Sequence, residues 1–78
     1  MIKSKIKQIL NEVADIDEDL ENLEGLIFNG YLDSFAVLIL VDRLEKTFGI
    51  KLEYNDQFIG QIDSLTSIEN LVNSHIKN

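Results

Sequence analysis

The dipeptide Asp33-Ser34 stands at the start of the most apolar stretch of the chain and is the first candidate for chemistry. After it, apolar side chains recur at spacings of four, three and four: Val37, Val41, Leu44 and Phe48. This spacing predicts a helix with Asp33 as its cap. A serine at a helix N-terminus lies near unpaired backbone N–H groups and the positive end of the helix dipole, which both favour an anion. Ser34 is therefore well placed to carry a phosphate ester, although an ordinary helix cap has the same two residues.

Other candidates for catalysis are weak. The single histidine, His75, is three residues from the last residue, a poor place to bury and orient a general base. The chain has neither a Gly-x-Ser-x-Gly turn nor a glycine-rich phosphate loop. We therefore predict that the protein is not an enzyme in its own right.

The acidic segment after the first amphipathic stretch partly matches a calcium loop. Residues 15–19, Asp-Ile-Asp-Glu-Asp, have the opening ligand pattern of an EF-hand. Position six of that loop should be glycine and is Leu20, and position twelve should be glutamate and is Leu26. No specific metal site is predicted, and loose accumulation of cations is the alternative left open.

A second Asp-Ser-Leu occurs at 63–65, so the dipeptide alone is a weak signal. Thr66 and Ser67, which follow it, also have the character of helix caps, and Thr66 has capping-box spacing to Glu69. Either copy can be a purely structural helix cap, and only the surrounding residues distinguish the two.

The elements that must position Ser34 begin with an amphipathic helix over 2–14, predicted from Ile2, Ile6, Ile9, Leu10 and Val13. The same spacing continues through Ile16, Leu20 and Leu23, which would make three heptads of a coiled coil. Acidic pairs at helical spacing oppose a continuous helix: Asp15/Asp19, Asp17/Glu21, Glu18/Glu21 and Glu21/Glu24. We therefore predict a long ordered loop over 15–32, held by its leucines and Phe28.

The remaining elements are also predicted to be helical. The second helix should run over 34–48 and end at Gly49. A helical turn from Asp56 to Ile59 should stop at Gly60, and a last helix over 65–76 should face inward with Leu65, Ile68, Leu71, Val72 and Ile76. The predicted fold is all-α, a small four-helix bundle of three main helices and a short third one, with a long loop between helices 1 and 2.

Length and composition fit a single domain over residues 1–78. The net charge of −7 predicts repulsion from nucleic acid and anionic lipid and attraction to basic protein surfaces. The longest apolar run, residues 35–41, is too short to insert in a membrane, and the amino terminus has no signal-peptide pattern. The chain has no cysteine, which fits a reducing compartment. A cytoplasmic monomer is the expectation.

The stretch Asn29-Gly30-Tyr31-Leu32-Asp33-Ser34-Phe35 closely resembles the attachment motif of the acyl and peptidyl carrier proteins. The likeness continues through Leu38, Leu40, Val41, Leu44, Glu45 and Phe48-Gly49-Ile50. It extends over most of the chain, because the predicted elements follow the order of that family. Leu65-Thr66-Ser67-Ile68, before Leu71, is similar to the family's closing pattern.

The resemblance implies that Ser34 accepts 4′-phosphopantetheine from coenzyme A, through a dedicated phosphopantetheinyl transferase that uses Mg²⁺ in its own site. The thiol of that group would carry an acyl or aminoacyl cargo as a thioester to enzymes of lipid, polyketide, peptide or cell-wall-related biosynthesis. Asp33 would cap the helix and help orient the transferase and its metal, and Leu32 and Phe35 would lie at the docking surface. Since no base neighbours Ser34 in sequence, its activation would come from the partner enzyme.

The chain departs from typical fatty-acid carriers, whose serine helix has a strongly acidic exposed face. Here apolar residues follow the serine, as in peptidyl carriers and the D-alanyl carrier of cell-wall modification. We therefore predict docking that is more hydrophobic and less sensitive to salt. The predicted docking residues are Leu32, Asp33, Phe35, Ala36, Val37 and Ile39. The alternative is that some of these residues are buried, since seven apolar residues in a row cannot all face one core.

Two other functions remain alternatives. The first is a helical protein-interaction module that uses the heptad pattern of residues 2–23 as a dimer seam and has no prosthetic group. The second, more distant, is an EF-hand-like sensor. The cargo, the activating enzyme and the pathway reside in partners, so the sequence leaves them open.

Overall fold

The computed structural model describes residues 2–16, 19–20, 22–52 and 58–76, and all regular structure in these ranges is helical. Three long helices are present, α1 (Ile2–Ala14), α2 (Ser34–Phe48) and α4 (Leu65–Ile76), with a single helical turn, α3 (Phe58–Gln61), before the last. The predicted all-α class and the bounds of the three long helices are confirmed.

A four-helix bundle is not shown by this arrangement. The three long helices contact one another in all pairs, whereas α3 contacts only α4 among the described helices. The predicted turn began at Asp56, which lies outside the described residues, and its predicted stop at Gly60 is wrong because Gly60 lies within α3. One turn of helix is too short to add a fourth packing face.

The core is formed where the apolar stripes of the long helices meet. α1 contributes Ile6, Ile9 and Leu10, and α2 contributes Ala36, Val37, Leu40 and Leu44. α4 contributes Leu65, Ile68, Leu71 and Val72, as predicted. The prediction that Ile76 also faces inward is wrong, because the last turn of α4 continues past the buried stripe and leaves Ile76 exposed.

The first helix ends where the acidic segment begins. Asp15 has a left-handed backbone conformation with φ of +50°, and its N–H makes the last helical hydrogen bond, to Asn11 O at 3.0 Å. A continuous helix over 2–23 is therefore not formed, in agreement with the predicted loop. The apolar residues that continued the heptad pattern fold back onto the core, where Ile16 and Leu20 are buried.

The long loop is held by leucines, as predicted, but not by Phe28. Leu20, Leu26 and Leu32 are buried, while Phe28 is 81% exposed. A tight turn explains the exposure: the Asn29 N–H donates to Gly25 O and the Gly30 N–H donates to Ile27 O. Phe28 lies at the outer corner of this turn.

Glu45 fixes the C-terminal end of α2. Gly49 adopts the left-handed conformation, with φ of +65°, and the N–H groups of Gly49 and Ile50 both donate to the carbonyl of Glu45. The side chain of Glu45 also accepts a 2.8 Å hydrogen bond from the N–H of Leu52. The chain therefore stops the helix at the predicted glycine and turns back along its own last turn.

Candidate functional site at the start of α2

Asp33 caps α2 and makes Ser34 the first helical residue. The backbone of Asp33 is extended, with φ of −91° and ψ of 179°, and its Oδ1 accepts a hydrogen bond of 2.8 Å from the Ala36 N–H. Its carbonyl accepts the first helical bond, from the Val37 N–H at 3.0 Å. Because the aspartate makes the cap, the serine is left without that task.

Ser34 is exposed, and its hydroxyl takes part in no hydrogen bond among the described residues. As the first helical residue it lies where backbone N–H groups have no partner within the helix and where the dipole is positive. A phosphate ester on this oxygen would therefore meet a favourable electrostatic field and no steric obstacle from a buried environment.

The second Asp-Ser copy is built differently. Ser64 is half-buried, and its Oγ accepts a hydrogen bond from the Ser67 N–H at 3.1 Å and lies 3.0 Å from Ser67 Oγ. Its carbonyl accepts the first helical bond of α4, from the Ile68 N–H at 3.0 Å. Ser64 is therefore the N-cap of α4. The capping-box prediction for Thr66 and Glu69 is wrong, because both residues lie inside the helix that Ser64 caps.

A shallow depression of about 290 Å³ lies beside the start of α2. The end of α1 and the first turns of α2 form its walls, and the residues before the cap form its floor. It is lined by Val13, Ala14, Gly30, Tyr31, Asp33, Phe35, Ala36 and Ile39. None of these residues is lysine, arginine or histidine, and the carboxylate among them, that of Asp33, is engaged through Oδ1 by the Ala36 N–H.

The predicted docking residues separate into two groups. Leu32, Ala36 and Val37 are buried and are core residues, so their assignment to a docking surface is corrected. Helical geometry is the reason, since Ala36, Val37 and Leu40 share the face of α2 that packs on the core.

The exposed group forms an apolar stripe that we call the α2 stripe: Phe35, Leu38 and Ile39. Phe35 is 72% exposed and Leu38 is 60% exposed. Spacings of three and four residues place these side chains on one outer face of the helix, beside the exposed Asp33. Leu38 was not among the predicted docking residues, although its place three residues after Phe35 puts it on the same face of the helix.

The other candidate groups lie elsewhere. The ring of His75 is in the last turn of α4, with Nδ1 2.9 Å from Leu71 O and 3.3 Å from Ser74 Oγ, so it is held by its own helix. Asp17, Glu18 and Glu21 of the acidic segment lie outside the described residues. Within the part of the chain that is described, no group of three acidic or histidine side chains comes together to hold a metal ion.

One ion pair joins the helices that flank the depression. Arg43 of α2 donates a hydrogen bond to the carboxylate of Glu12 on α1. This hydrogen bond, together with the positive charge of Arg43, holds the pKa of Glu12 below its ordinary value. Both side chains are partly solvent-exposed, so the pair braces the two helices only weakly.

A scan against protein-family models, a search of curated proteins and a search of solved structures each found no match to this chain. The resemblance to carrier proteins therefore stays a prediction. Across the described helices, none is long and apolar enough to cross a membrane.

Proposed function

We propose that the protein is a free-standing acyl or aminoacyl carrier protein that bears 4′-phosphopantetheine on Ser34. One observation at the start of α2 carries the proposal. Asp33 makes the cap, so Ser34 is exposed and its hydroxyl makes no hydrogen bond among the described residues. A serine needed for the fold would be engaged, as Ser64 is.

The residues at the site fit a phosphodiester. The first turn of α2 provides N–H groups and a positive dipole end, and Ser34 is exposed at its start. When bound, the group supplies a thiol that forms thioesters with cargo. The protein's own residues bind that group and present it.

Activation of Ser34 belongs to the transferase in this proposal. A serine hydroxyl is a weak nucleophile, and the residues that line the depression include no histidine or lysine to activate it. The exposed carboxylate of Asp33 has one oxygen engaged by the Ala36 N–H, which leaves the other free to face a partner enzyme or its metal. In this proposal the carrier itself performs no chemistry.

The α2 stripe is the proposed docking surface for the transferase and for the enzymes that load and use the cargo. Large apolar side chains exposed together on one helix face are a common feature of interaction sites. The stripe replaces the acidic face of typical fatty-acid carriers, so docking should rest more on apolar burial than on charge. The proposed carrier would be a cytoplasmic monomer, with α3 as the short third helix of the family's four-helix arrangement.

The dimer-seam alternative has less support. Its continuous helix is broken at Asp15. Most residues of its seam are already buried within one chain: Ile6, Ile9, Leu10, Ile16 and Leu20. Sedimentation separates the two functions, because a carrier should be monomeric and a coiled coil should not.

Intact mass spectrometry tests the proposal. The purified protein is incubated with coenzyme A, Mg²⁺ and a broad-specificity phosphopantetheinyl transferase, beside the Ser34→Ala and Ser64→Ala variants. We expect a mass gain of one phosphopantetheine group on the wild type and on Ser64→Ala and none on Ser34→Ala. No gain on the wild type, or a gain that survives Ser34→Ala, would contradict the proposal.

A further inference from the structure

The segment before the cap, residues 24–32, is folded on itself by short-range hydrogen bonds; we call it the approach loop. The Leu32 N–H donates to Leu26 O at 2.8 Å, and Asn29 donates through its backbone to Gly25 O and through its side chain to Glu24 O. Gly25 has φ of +68°, and a Cβ added there would collide with the Asn29 side chain. A side chain at position 25 would therefore disrupt the closed conformation of the approach loop.

Asp63 joins this loop to the turn before α4. Its backbone carbonyl accepts a hydrogen bond from the Leu26 N–H at 2.9 Å, and its carboxylate Oδ1 accepts one from the Ile27 N–H at 3.1 Å. Asp63 lies in the turn between α3 and α4, 36 residues away in sequence from Ile27. Two adjacent N–H groups are thus held by one residue, one of them by a charged acceptor.

The two sets of bonds form a continuous path to the modified serine. Asp63 holds Leu26 and Ile27, the Leu26 carbonyl holds Leu32, and Leu32 precedes the Asp33 cap. Leu26 and Leu32 are both almost fully buried, so the two ends of the approach loop are fixed by packing as well.

We propose that Asp63 is a positioning residue for the modification of Ser34. It acts through the approach loop, by holding Leu26 and Ile27 in the conformation that sets the entry to α2. This inference rests on the proposed function, because it assigns Asp63 a part in the loading of Ser34 by a phosphopantetheinyl transferase.

The loop conformation sets the fraction of molecules that are competent to dock. If the loop opens, the cap and Ser34 are presented in many orientations, and a transferase binds only the correct one. Apparent affinity then falls by the competent fraction, while turnover of the bound complex is unchanged. Loss of the Asp63 side chain should therefore raise KM and leave kcat as it is.

Three variants separate this role from simple stability. Asp63→Ala removes the carboxylate acceptor, and Asp63→Asn keeps an oxygen acceptor of the same shape without the charge. Ser64→Ala removes the cap of α4 one residue away and leaves both bonds of Asp63 intact. Circular dichroism first establishes a temperature at which all three variants and the wild type are folded.

Amide hydrogen exchange followed by NMR tests the contact directly and needs no modification of Ser34. We expect the protection of the Ile27 amide to fall about tenfold or more in Asp63→Ala and by less in Asp63→Asn, because a bond to a carboxylate is stronger than one to a neutral oxygen. Ser64→Ala should change it no more than it changes amides elsewhere in the core.

Steady-state transfer of phosphopantetheine to the same variants tests the consequence. We expect KM for the carrier to rise several-fold in Asp63→Ala with kcat unchanged, to recover largely in Asp63→Asn, and to stay at the wild-type value in Ser64→Ala.

The outcomes distinguish this inference from the proposed function. If the wild type is modified but Asp63→Ala has wild-type KM, or if its Ile27 amide keeps full protection, Asp63 is not a positioning residue and the carrier function stands. If Asp63→Ala does not fold, Asp63→Leu takes its place. A raised KM and a weaker protection of the Ile27 amide in folded Asp63→Leu, with smaller changes in Asp63→Asn, would support the inference. Wild-type KM and protection in Asp63→Leu would overturn it. A wild type that gains no mass overturns the carrier function and the positioning role together.

Discussion

The two Asp-Ser sites of this chain begin helices in registers that differ by one residue. At 33–34 the aspartate is the cap and the serine is the first helical residue, whereas at 63–64 the serine is the cap and the aspartate precedes it. The shift decides which hydroxyl is available, because the capping oxygen is engaged and the residue after the cap is not. It also frees the carboxylate of Asp63 to bind the approach loop. The same dipeptide therefore leaves an exposed serine hydroxyl in one place, and in the other it caps a helix and binds a loop.

The residue after each serine differs in exposure in the same way as the serine does. Phe35 is 72% exposed, while Leu65 is 1% exposed. At the first site the helix offers an aromatic side chain to solvent beside the free hydroxyl, and at the second it buries a leucine in the core. The first site therefore presents its side chains to solvent, whereas the second packs its side chains into the core.

The largest expected difference between the sites is in modification. The mass gain from coenzyme A should be abolished in Ser34→Ala and retained in full in Ser64→Ala, since only the first hydroxyl is exposed and free of hydrogen bonds. A loss of modification in Ser64→Ala while the variant remains folded would break the comparison.

Replacing the residue after each serine by alanine should give the next largest difference, in the free energy of unfolding. Leu65→Ala should lower the free energy of unfolding by about 2–5 kcal/mol, because it leaves a cavity in the core. Phe35→Ala should change it by less than about 0.5 kcal/mol, since the ring is mostly in solvent. Urea denaturation of both variants measures the difference, and similar costs for the two would show that Phe35 is part of the core.

Removal of each cap should come third. Asp33→Ala and Ser64→Ala should each cost about 1 kcal/mol, because each removes the acceptor of an N–H in the first turn of its helix. Ser34→Ala should cost almost nothing, since alanine is a good helix former and the Ser34 hydroxyl makes no hydrogen bond. Denaturation midpoints compare the three variants. A large loss in Ser34→Ala would mean that the serine supports the fold and would weaken its assignment as a free acceptor.

The smallest effect concerns the ion pair that braces the first site. The pKa of Glu12 is lowered in the folded protein by the hydrogen bond and the charge of Arg43, so the pair stabilises the fold above the range where free glutamate titrates. This contribution is lost as pH falls through the lowered pKa. Glu12→Gln should therefore lower Tm by about 1–2 °C at neutral pH, with a difference that shrinks to zero in acid. Thermal melts of both proteins across pH check this, and a difference that grows in acid would contradict it.

The elements of the fold were largely predictable from local patterns. The apolar spacing of α1, α2 and α4 gave their bounds, and the acidic pairs after residue 14 correctly indicated that the heptad pattern does not continue as helix. Helix periodicity and like-charge repulsion act over three or four residues, so both can be read directly from sequence. The extent of the inward face was less predictable: Ile76 keeps the apolar spacing but lies past the end of the core.

The site was only partly predictable. Ser34 and its Asp33 cap follow from the motif. Leu32, Ala36 and Val37 were predicted to be docking residues, but they are buried in the core. A run of seven apolar residues carries no internal mark of which side chains face the core, because that depends on where α1 and α4 pack. Phe28 was expected to hold the loop and is instead exposed, because a tight turn places it at an outer corner.

The sequence by itself determined the helices, the acidic break after α1 and the position of the serine that follows a capping aspartate. The tertiary structure decided which copy of Asp-Ser has a free hydroxyl, which apolar residues of α2 form the exposed stripe, and which residue holds the approach loop. Local patterns depend on neighbours in the chain, whereas the bond between Asp63 and Ile27 spans 36 residues and exists only once the helices have packed.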